Sequence, residues 1–314
     1  MTGIEFKNVS KFYGEVLGLN DVSFFIPKGI TGLVGSNGAG KSTTMKLCVS
    51  IIKPDLGEVT YQGESIWNNL AYLKKVGYAT EKDKLFEWMT GYEFLKWNAR
   101  LLDLHGTVAE TRIKEILELM DLSHAKDRKI QGYSRGMRQR VKIGQTLLHE
   151  PELIFVDEPM SGTDPLGRYT IAETFRRVYK DEGRSVILSS HVLHELERLS
   201  TWLLILENGK LVAEGTMHGI REAMNNVPQH FIITSPNVDS ILESLVDQII
   251  EFKRLSPYKI QVAAKNREAL ENSLVEIQQD QHIEINEFLT ADADLSAVYR
   301  LLKNGNRDSW RYLA

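Results

Sequence analysis

Cysteine is almost absent from this chain. Cys48 is its one thiol, so no internal disulfide can form and a cysteine-built metal cluster is excluded. A chain that does without either fits a reducing compartment, and a cytosolic placement is the expectation. Long apolar runs are missing as well. The most apolar stretches, 153–156 and 202–206, fall far short of the roughly 20 residues that a membrane helix needs. If a membrane is involved, another polypeptide is expected to supply the span. The opening residues, MTGIEFKNVSKFYG, alternate apolar and polar types and lack the charged-then-apolar order of a secretory leader. Positive charge is not in excess either: 38 Lys and Arg face 42 Asp and Glu, a formal net charge of -4. Without a basic surface, nucleic acid is not an expected partner. The chain shows no internal repeat and no low-complexity tract.

What is present is a sequence of 314 residues, enough for about two domains with a sizeable core. Strand-like pieces at 4–9 and 22–26 are separated by turn residues, Tyr13-Gly14 and Pro27-Lys28-Gly29. The apolar run 30–34 stops at a glycine-rich turn, and 43–52 follows with helical character. Between 85 and 148 the pattern becomes amphipathic helix, with Ile113, Ile116, Leu117 and Met120 on one face. A helical segment is therefore inserted here. Residues 153–156 and 186–188 read as strands covered on both faces, with a helix over 168–181 between them, which predicts a parallel sheet. The last hundred residues change character: strand 229–234, helix 238–246, strands 248–255 and 259–264, helix 267–278 and strand 283–289. That order is the βαββαβ plait.

Gly35-Ser36-Asn37-Gly38-Ala39-Gly40-Lys41-Ser42 satisfies G-x-x-x-x-G-K-[ST]. A glycine-rich turn can match this pattern by chance. Here it sits between an apolar strand and a helix, where the chemistry needs it. The glycines let backbone N–H groups converge on phosphate oxygens, and the helix start adds its positive end. Lys41 would reach the β- and γ-phosphates, and Ser42 would offer a hydroxyl to Mg²⁺. Downstream, the run 153–156 delivers Asp157 and Glu158 at its end, which is the Walker-B arrangement. Seen alone, two acids ending a strand are a solvated turn. Coupled to the phosphate loop, Asp157 would hold Mg²⁺ and Glu158 would act as general base toward water.

With these residues in place the chain resembles the ATP-binding-cassette family, whose remaining motifs follow in order. Tyr13 matches the aromatic that stacks on adenine, and Thr43 completes the phosphate loop. Tyr133-Ser134-Arg135-Gly136-Met137 resembles the signature that meets the ATP of the opposite subunit. It departs from LSGGQ at Tyr133, Arg135 and Met137 and keeps Ser134 and Gly136. Arg138 and Arg140, which follow it, read as a solvated helix start. Ser161 and Asp164 match the loop linking the two sites of a dimer, and His191 matches the switch histidine. Glu81 stands where the family usually has glutamine; a carboxylate there is a reasonable Mg²⁺ ligand. Phe86, Trp88, Tyr92, Phe94 and Trp97 read mostly as core of the helical segment, with one or two left to line a groove for a partner. The resemblance covers residues 1–222, and the plait with 294–302 resembles the accessory tail of bacterial drug- and antibiotic-export ATPases.

The resemblance implies an α/β fold: a P-loop NTPase cassette over 1–222, with a mixed-sheet core and a helical subdomain at about 84–148, then a ferredoxin-like α+β domain over 229–303. It implies an ATPase that uses ATP and Mg²⁺, dimerises with itself or a related cassette, and drives a separate transmembrane permease from the cytoplasmic face. Two rivals were open. A soluble cassette acting on ribosomes or DNA normally carries two cassettes or a long coiled coil, and this chain has one phosphate loop and no sustained heptads. A non-hydrolysing regulator would not need Lys41, Asp157, Glu158 and His191 together.

Overall fold

The computed structural model describes residues 3–82, 85–192, 195–196, 199–216, 218–220, 229–264, 266–280 and 283–290. The chain divides into two compact units, Met1–Leu211 and Val212–Ala314.

The first unit opens with β1 (Gly3–Tyr13) and β2 (Val16–Pro27), an antiparallel pair closed by the turn at Gly14. Next come β3 (Ile30–Val34), α1 (Lys41–Cys48), β4 (Leu56–Tyr61), β5 (Glu64–Ser65), α2 (Leu70–Leu73) and β6 (Val76–Ala79). Three helices follow, α3 (Gly91–Leu101), α4 (Gly106–Leu119) and α5 (Arg135–Thr146). The chain then returns to the sheet through β7 (Leu153–Val156), α6 (Pro165–Lys180), β8 (Ser185–Ser190), β9 (Trp202–Glu207) and β10 (Lys210–Gly215). These strands make two sheets, β2-β1-β4-β5 and β10-β9-β3-β8-β7-β6. In the second, β9, β3, β8, β7 and β6 run parallel.

Every residue of β3, β7 and β8 is buried. This is the mark of strands covered on both faces, and it is why their sequences run apolar without alternation. Because the strands are parallel, their C-terminal ends share one edge of the sheet, where open α/β sheets bind ligands. The helix after β3 starts at Lys41 rather than at Thr43, because Gly40, in a left-handed conformation (φ 108°), lets the chain enter the helix directly from the loop.

The helical segment is held by polar ties as well as by core. Thr90 and Glu93 form a capping box at the start of α3, and Ile113, Ile116, Leu117 and Met120 are buried. Arg140 is not solvated. Its Nη1 donates to the carbonyls of Met120 (2.8 Å) and Asp121 (3.0 Å), and only 11% of its side chain is exposed. Arg138 donates to Glu87 and to the carbonyls of Gln131 and Tyr133. Both arginines satisfy carbonyls where the chain turns, a role no periodicity in the sequence announces. The aromatic run also differs from its reading. Phe94 is buried, but Phe86 (39%), Trp88 (65%) and Trp97 (38%) are on the surface, with the Phe86 and Trp97 rings edge to face at 5.0 Å.

The second unit contains β11 (Gln229–Thr234), α7 (Val238–Ser244), β12 (Ile249–Ser256), β13 (Lys259–Ala264), α8 (Arg267–Asp280) and β14 (Glu287–Thr290). Its strands lie in the order β12-β13-β11-β14, all antiparallel, which is the plait read from the sequence. Phe231, Ile233, Ile260, Val262, Leu270 and Leu274 are the centre of its core. The last strand starts at Glu287 rather than at 283, although Ile283 still buries its side chain. The stretch 294–302 and the domain limits at 84, 222 and 303 lie outside the described residues.

Candidate functional site

Four parallel strands deliver the site. The loop after β3 carries Gly35–Gly40, β7 ends at Asp157 and Glu158, β8 leads to His191, and β6 leads to Glu81. Together with Tyr13 at the end of β1 they border a cleft of about 600 Å³ lined by Tyr13, Gly18, Asn37 to Thr43, Glu81, Glu158, Ser161 and His191. A second cavity, about 300 Å³, lies at the other ends of the strands among Pro27, Tyr61, Glu152 and Arg184 and holds none of the motif residues.

Lys41 begins α1 with its side chain 7% exposed. Its ammonium donates to the Gly35 carbonyl (2.7 Å) and the Ser36 carbonyl (3.1 Å) and lies 3.6 Å from Glu158 Oε1. A buried ammonium needs such partners. The loop therefore holds a positive charge beside the N-terminus of α1, as an anion site requires. Gly40 fits no other residue: besides its left-handed φ, a Cβ there would meet the Gly18 carbonyl at 2.9 Å. Ser36 donates to Glu207 at 2.8 Å, pinning the near side of the loop to the end of β9. Ser42 and Thr43, half-buried, present hydroxyls at the head of the helix.

Tyr13 is 43% exposed, and its ring lies against Gly18, where a Cβ would be 2.8 Å from Cε2. The ring is thus packed against the chain on one side and otherwise open to the cleft that it lines, as an aromatic that stacks on a base would need. The strand end that carries it is tied down by Asp55, which accepts from the Phe12 amide (2.6 Å) and from Lys11 (3.0 Å). Those two donors hold the Asp55 carboxyl below its ordinary range, with the backbone donor the larger effect.

Asp157 and Glu158 are nearly buried, 3% and 9% exposed. Glu158 adopts φ 51°, an uncommon conformation for a residue with a side chain. It turns its carboxylate into the cleft, where Oε2 lies 3.0 Å from His191 Nδ1. In the tautomer that carries its hydrogen on Nδ1, the imidazole donates to this oxygen. Behind the pair stands Ser189, wholly buried, whose Oγ donates to Asp157 Oδ1 (2.5 Å) and accepts from the Glu158 amide (2.8 Å). Burial, followed by the charges of Asp157 and Glu81, pushes the Tyr78 phenol well above its usual range, so it stays neutral.

The signature residues stand apart from this cleft. Ser134 caps α5 by accepting from the Met137 amide (3.2 Å). Met137 turns into the core, Gly136 is buried, and Ser134 and Arg135 are exposed. Arg135 reaches Ser161, which lines the cleft, at 3.3 Å. Asp164 caps α6 through the Gly167 amide (3.0 Å). Two further residues tie the site to α5: Lys142 donates to the Glu81 carbonyl (2.9 Å), and Gln139 faces the Glu158 carbonyl (3.5 Å). Neither was singled out in the sequence. A lysine within a helix signals nothing until the helix is docked. Ser189 was nearer to view, as one of two hydroxyls ending an apolar strand just before His191.

For Mg²⁺, the Ser42 hydroxyl and the Asp157 and Glu81 carboxylates are hard oxygen donors of the right kind. Among the described residues no group of three or more His, Cys, Asp or Glu could hold a metal by itself.

Comparison with known proteins gives a consistent answer. The family model described as ABC transporter matches residues 19–161. An uncharacterized ABC transporter ATP-binding protein of Nostoc is 40% identical over 215 residues, which cover 67% of this chain and 63% of that protein's length. The bacitracin transport ATP-binding protein BcrA of Enterococcus faecalis is 32% identical over 279 residues, covering 87% of this chain and 90% of the relative. The linearmycin resistance ATP-binding protein LnrL of Bacillus subtilis is 28% identical, with 94% and 96% covered. Among solved structures, an ATP-binding subunit of an ABC transporter superposes with a TM-score of 0.63 at 32% identity, over 70% of this chain and 92% of that one. A dimeric cassette in a post-hydrolysis state with ADP and phosphate has the same fold: TM-score 0.62 at 23% identity, over 68% of this chain and 98% of that one.

Proposed function

This chain belongs to the ATP-binding proteins of ABC transporters, and we propose that it hydrolyses ATP as a dimer to power export through a separate membrane permease. The observation that carries the proposal is the convergence of Lys41, Glu158 and His191 on one cleft, with Glu158 between the other two at 3.6 and 3.0 Å. Lys41 exchanges its loop carbonyls for the β- and γ-phosphate oxygens, and the amides of Gly38 to Ser42 take up the rest of the phosphate charge. Tyr13 stacks on the base. Ser42, Asp157 and Glu81 would hold Mg²⁺, which would supply further charge neutralisation at the phosphates. Glu158 accepts a proton from the attacking water, while His191 holds the carboxylate by its Nδ1–H.

Dimerisation follows from the separation of the parts. Ser134 is exposed at the start of α5, outside the cleft, with the buried Gly136 in the same first turn; both are assigned to the site of a second cassette, and Arg135 ties that surface to Ser161 at the edge of its own site. The cassette is taken to extend to about residue 222, with the helical subdomain at about 84–148 and the plait over 229–303. Among the described residues no helix is long and apolar enough to cross a membrane, so the span is assigned to the permease and this chain to its cytoplasmic face. The exposed group of Phe86, Trp88 and Trp97 is the surface proposed to receive it. Export is supported by relatives named for bacitracin transport and linearmycin resistance.

The test is steady-state phosphate release measured beside equilibrium ATP binding. Glu158→Gln keeps the shape and loses the base, so turnover falls about 10²–10⁴-fold while ATP still binds. Lys41→Ala loses a buried charge that meets phosphate, so binding itself weakens. Near-normal turnover in Glu158→Gln would move the base elsewhere, to Glu81 or His191.

A further inference from the structure

Two residues of the site follow one another in sequence, Asp157 and Glu158, yet the function proposed above gives them different work: one would hold a metal, the other would act on water. Adjacent residues at a strand end point to opposite sides, and something has to fix both directions. The backbone shows how sharply the chain turns here, since Glu158 sits at φ 51°. A residue with a side chain leaves that conformation readily unless its surroundings hold it.

We infer that Ser189 is the positioning residue of the Walker-B pair, holding Asp157 in the orientation that binds Mg²⁺ and Glu158 in the turn that aims it at water. The inference rests on the functional reading above. Ser189 lies on β8, the strand hydrogen-bonded between β3 and β7, and it is wholly buried. One oxygen serves both acids: it donates its single hydrogen to Asp157 Oδ1 at 2.5 Å and accepts the Glu158 amide at 2.8 Å. The direction of each bond is fixed, because a carboxylate can only accept and an amide N–H can only donate. The Asp157 amide is occupied separately, by the Ala79 carbonyl at 2.9 Å on the other side. Asp157 is thus held between two neighbouring strands, by its backbone from β6 and by its side chain from β8. Two residues further along, His191 meets Glu158 Oε2 at 3.0 Å, so β8 grips Glu158 at both its amide and its carboxylate.

The hydroxyl acts on the metal through its ligand. A hydrogen bond to one carboxylate oxygen fixes the rotation of the group and leaves the other oxygen to coordinate. Loss of such an outer partner typically costs 10–100-fold in metal affinity or activity. The hydrogen bonds of the Ser189 hydroxyl go to Asp157 and Glu158 and not to the phosphate loop, so metal-free ATP binding should not notice its change. This separates a positioning role from a general loss of structure.

The experiment uses the full chain as wild type, Ser189→Ala, Ser189→Thr and Ser189→Cys, the last keeping the volume but offering only a weak donor. ATP binding is measured in EDTA and across a Mg²⁺ titration, phosphate release is measured over the same titration, and each variant is melted. Expected for Ser189→Ala is ATP binding in EDTA within about twofold of wild type. Its Mg²⁺ half-saturation should rise about 10–100-fold, Ser189→Thr should restore it, and Ser189→Cys should fall between. If the alanine variant fails to fold, the cysteine variant decides by the same shift. An unchanged Mg²⁺ half-saturation in a folded alanine or cysteine variant overturns the inference while leaving the ATPase reading intact. So does a variant that loses metal-free ATP binding in step with its Mg²⁺ response. A wild type that binds no ATP at all overturns both.

Discussion

At the scale of single residues the site separates affinity from chemistry. In the proposed function Lys41 and the loop amides meet phosphate charge, Glu158 handles a proton, and Tyr13 contributes neither charge nor proton but surface. Its ring lies against Gly18 and is 43% exposed. Tyr13→Ala should therefore weaken ATP binding by roughly 1–3 kcal/mol, the range found for base–aromatic stacking, and Tyr13→Trp should preserve it. Turnover at saturating ATP should be little changed in either. Titrating a fluorescent ATP analogue and fitting KM and kcat separately checks this; a fall in kcat with KM unchanged would contradict the stacking role. The phosphate loop and the Asp157-Glu158 pair stand out in the sequence because each is a short contiguous pattern, whereas His191 stands out only through the family resemblance. Ser189, Lys142 and Asp55 do not stand out, because their partners lie far along the chain, at Asp157, Glu81 and Phe12. Residues that position others carry no local pattern of their own.

Elements were readable where periodicity decided them and misread where it could not. The strands β3, β7 and β8 and the plait announce themselves by apolar runs and alternation. The run from Phe86 to Trp97 is rich in aromatics, but composition does not say which face another element covers. Only Phe94 turns in, and three rings stay on the surface. Arg140 was misread in the opposite sense, as solvated, when it ties the carbonyls ending α4 to the signature helix α5. Arg140→Met should then leave those carbonyls without a donor and cost about 1–3 kcal/mol of stability, read from denaturant unfolding. A change within about 0.5 kcal/mol would mark it as an ordinary surface residue. A second tie links α5 to the sheet: just past its end, His149 Nε2 lies 3.0 Å from the Val76 carbonyl on β6. Burial, the largest effect, holds the His149 imidazole below its ordinary pKa of 6.5. A base whose folded pKa is depressed binds fewer protons folded than unfolded. Stability is therefore full above about pH 6.5 and is lost as the pH falls below it. His149→Gln should melt with a smaller loss between pH 7.5 and 5.5 than the wild type; an equal loss would assign the pH dependence to other groups.

On the scale of the whole molecule, the cassette carries the nucleotide chemistry, and the plait carries none that its residues reveal. It has its own core and no phosphate loop, so a chain ending at residue 224 should bind ATP as the full chain does, provided it stays folded. A folded truncation that cannot bind ATP would show that the second unit supports the first. The patch of Phe86, Trp88 and Trp97 is the proposed counterpart on the permease side: replacing the three by Ser should leave ATP binding intact and abolish co-purification with the permease. One chain alone does not assemble the proposed site, since Ser134 and Gly136 lie outside the lining of their own cleft and are proposed to serve a partner's. The central claim is that two cassettes close on ATP, each lending its signature to the other's nucleotide. The most direct measurement is the mass in solution of Glu158→Gln, which holds ATP without consuming it, by light scattering with and without Mg-ATP. The account predicts a monomer without nucleotide and a dimer with it, and a return to monomer when Ser134→Arg is added. A Glu158→Gln protein that binds Mg-ATP yet stays monomeric at high concentration, alone and with its permease, would contradict it.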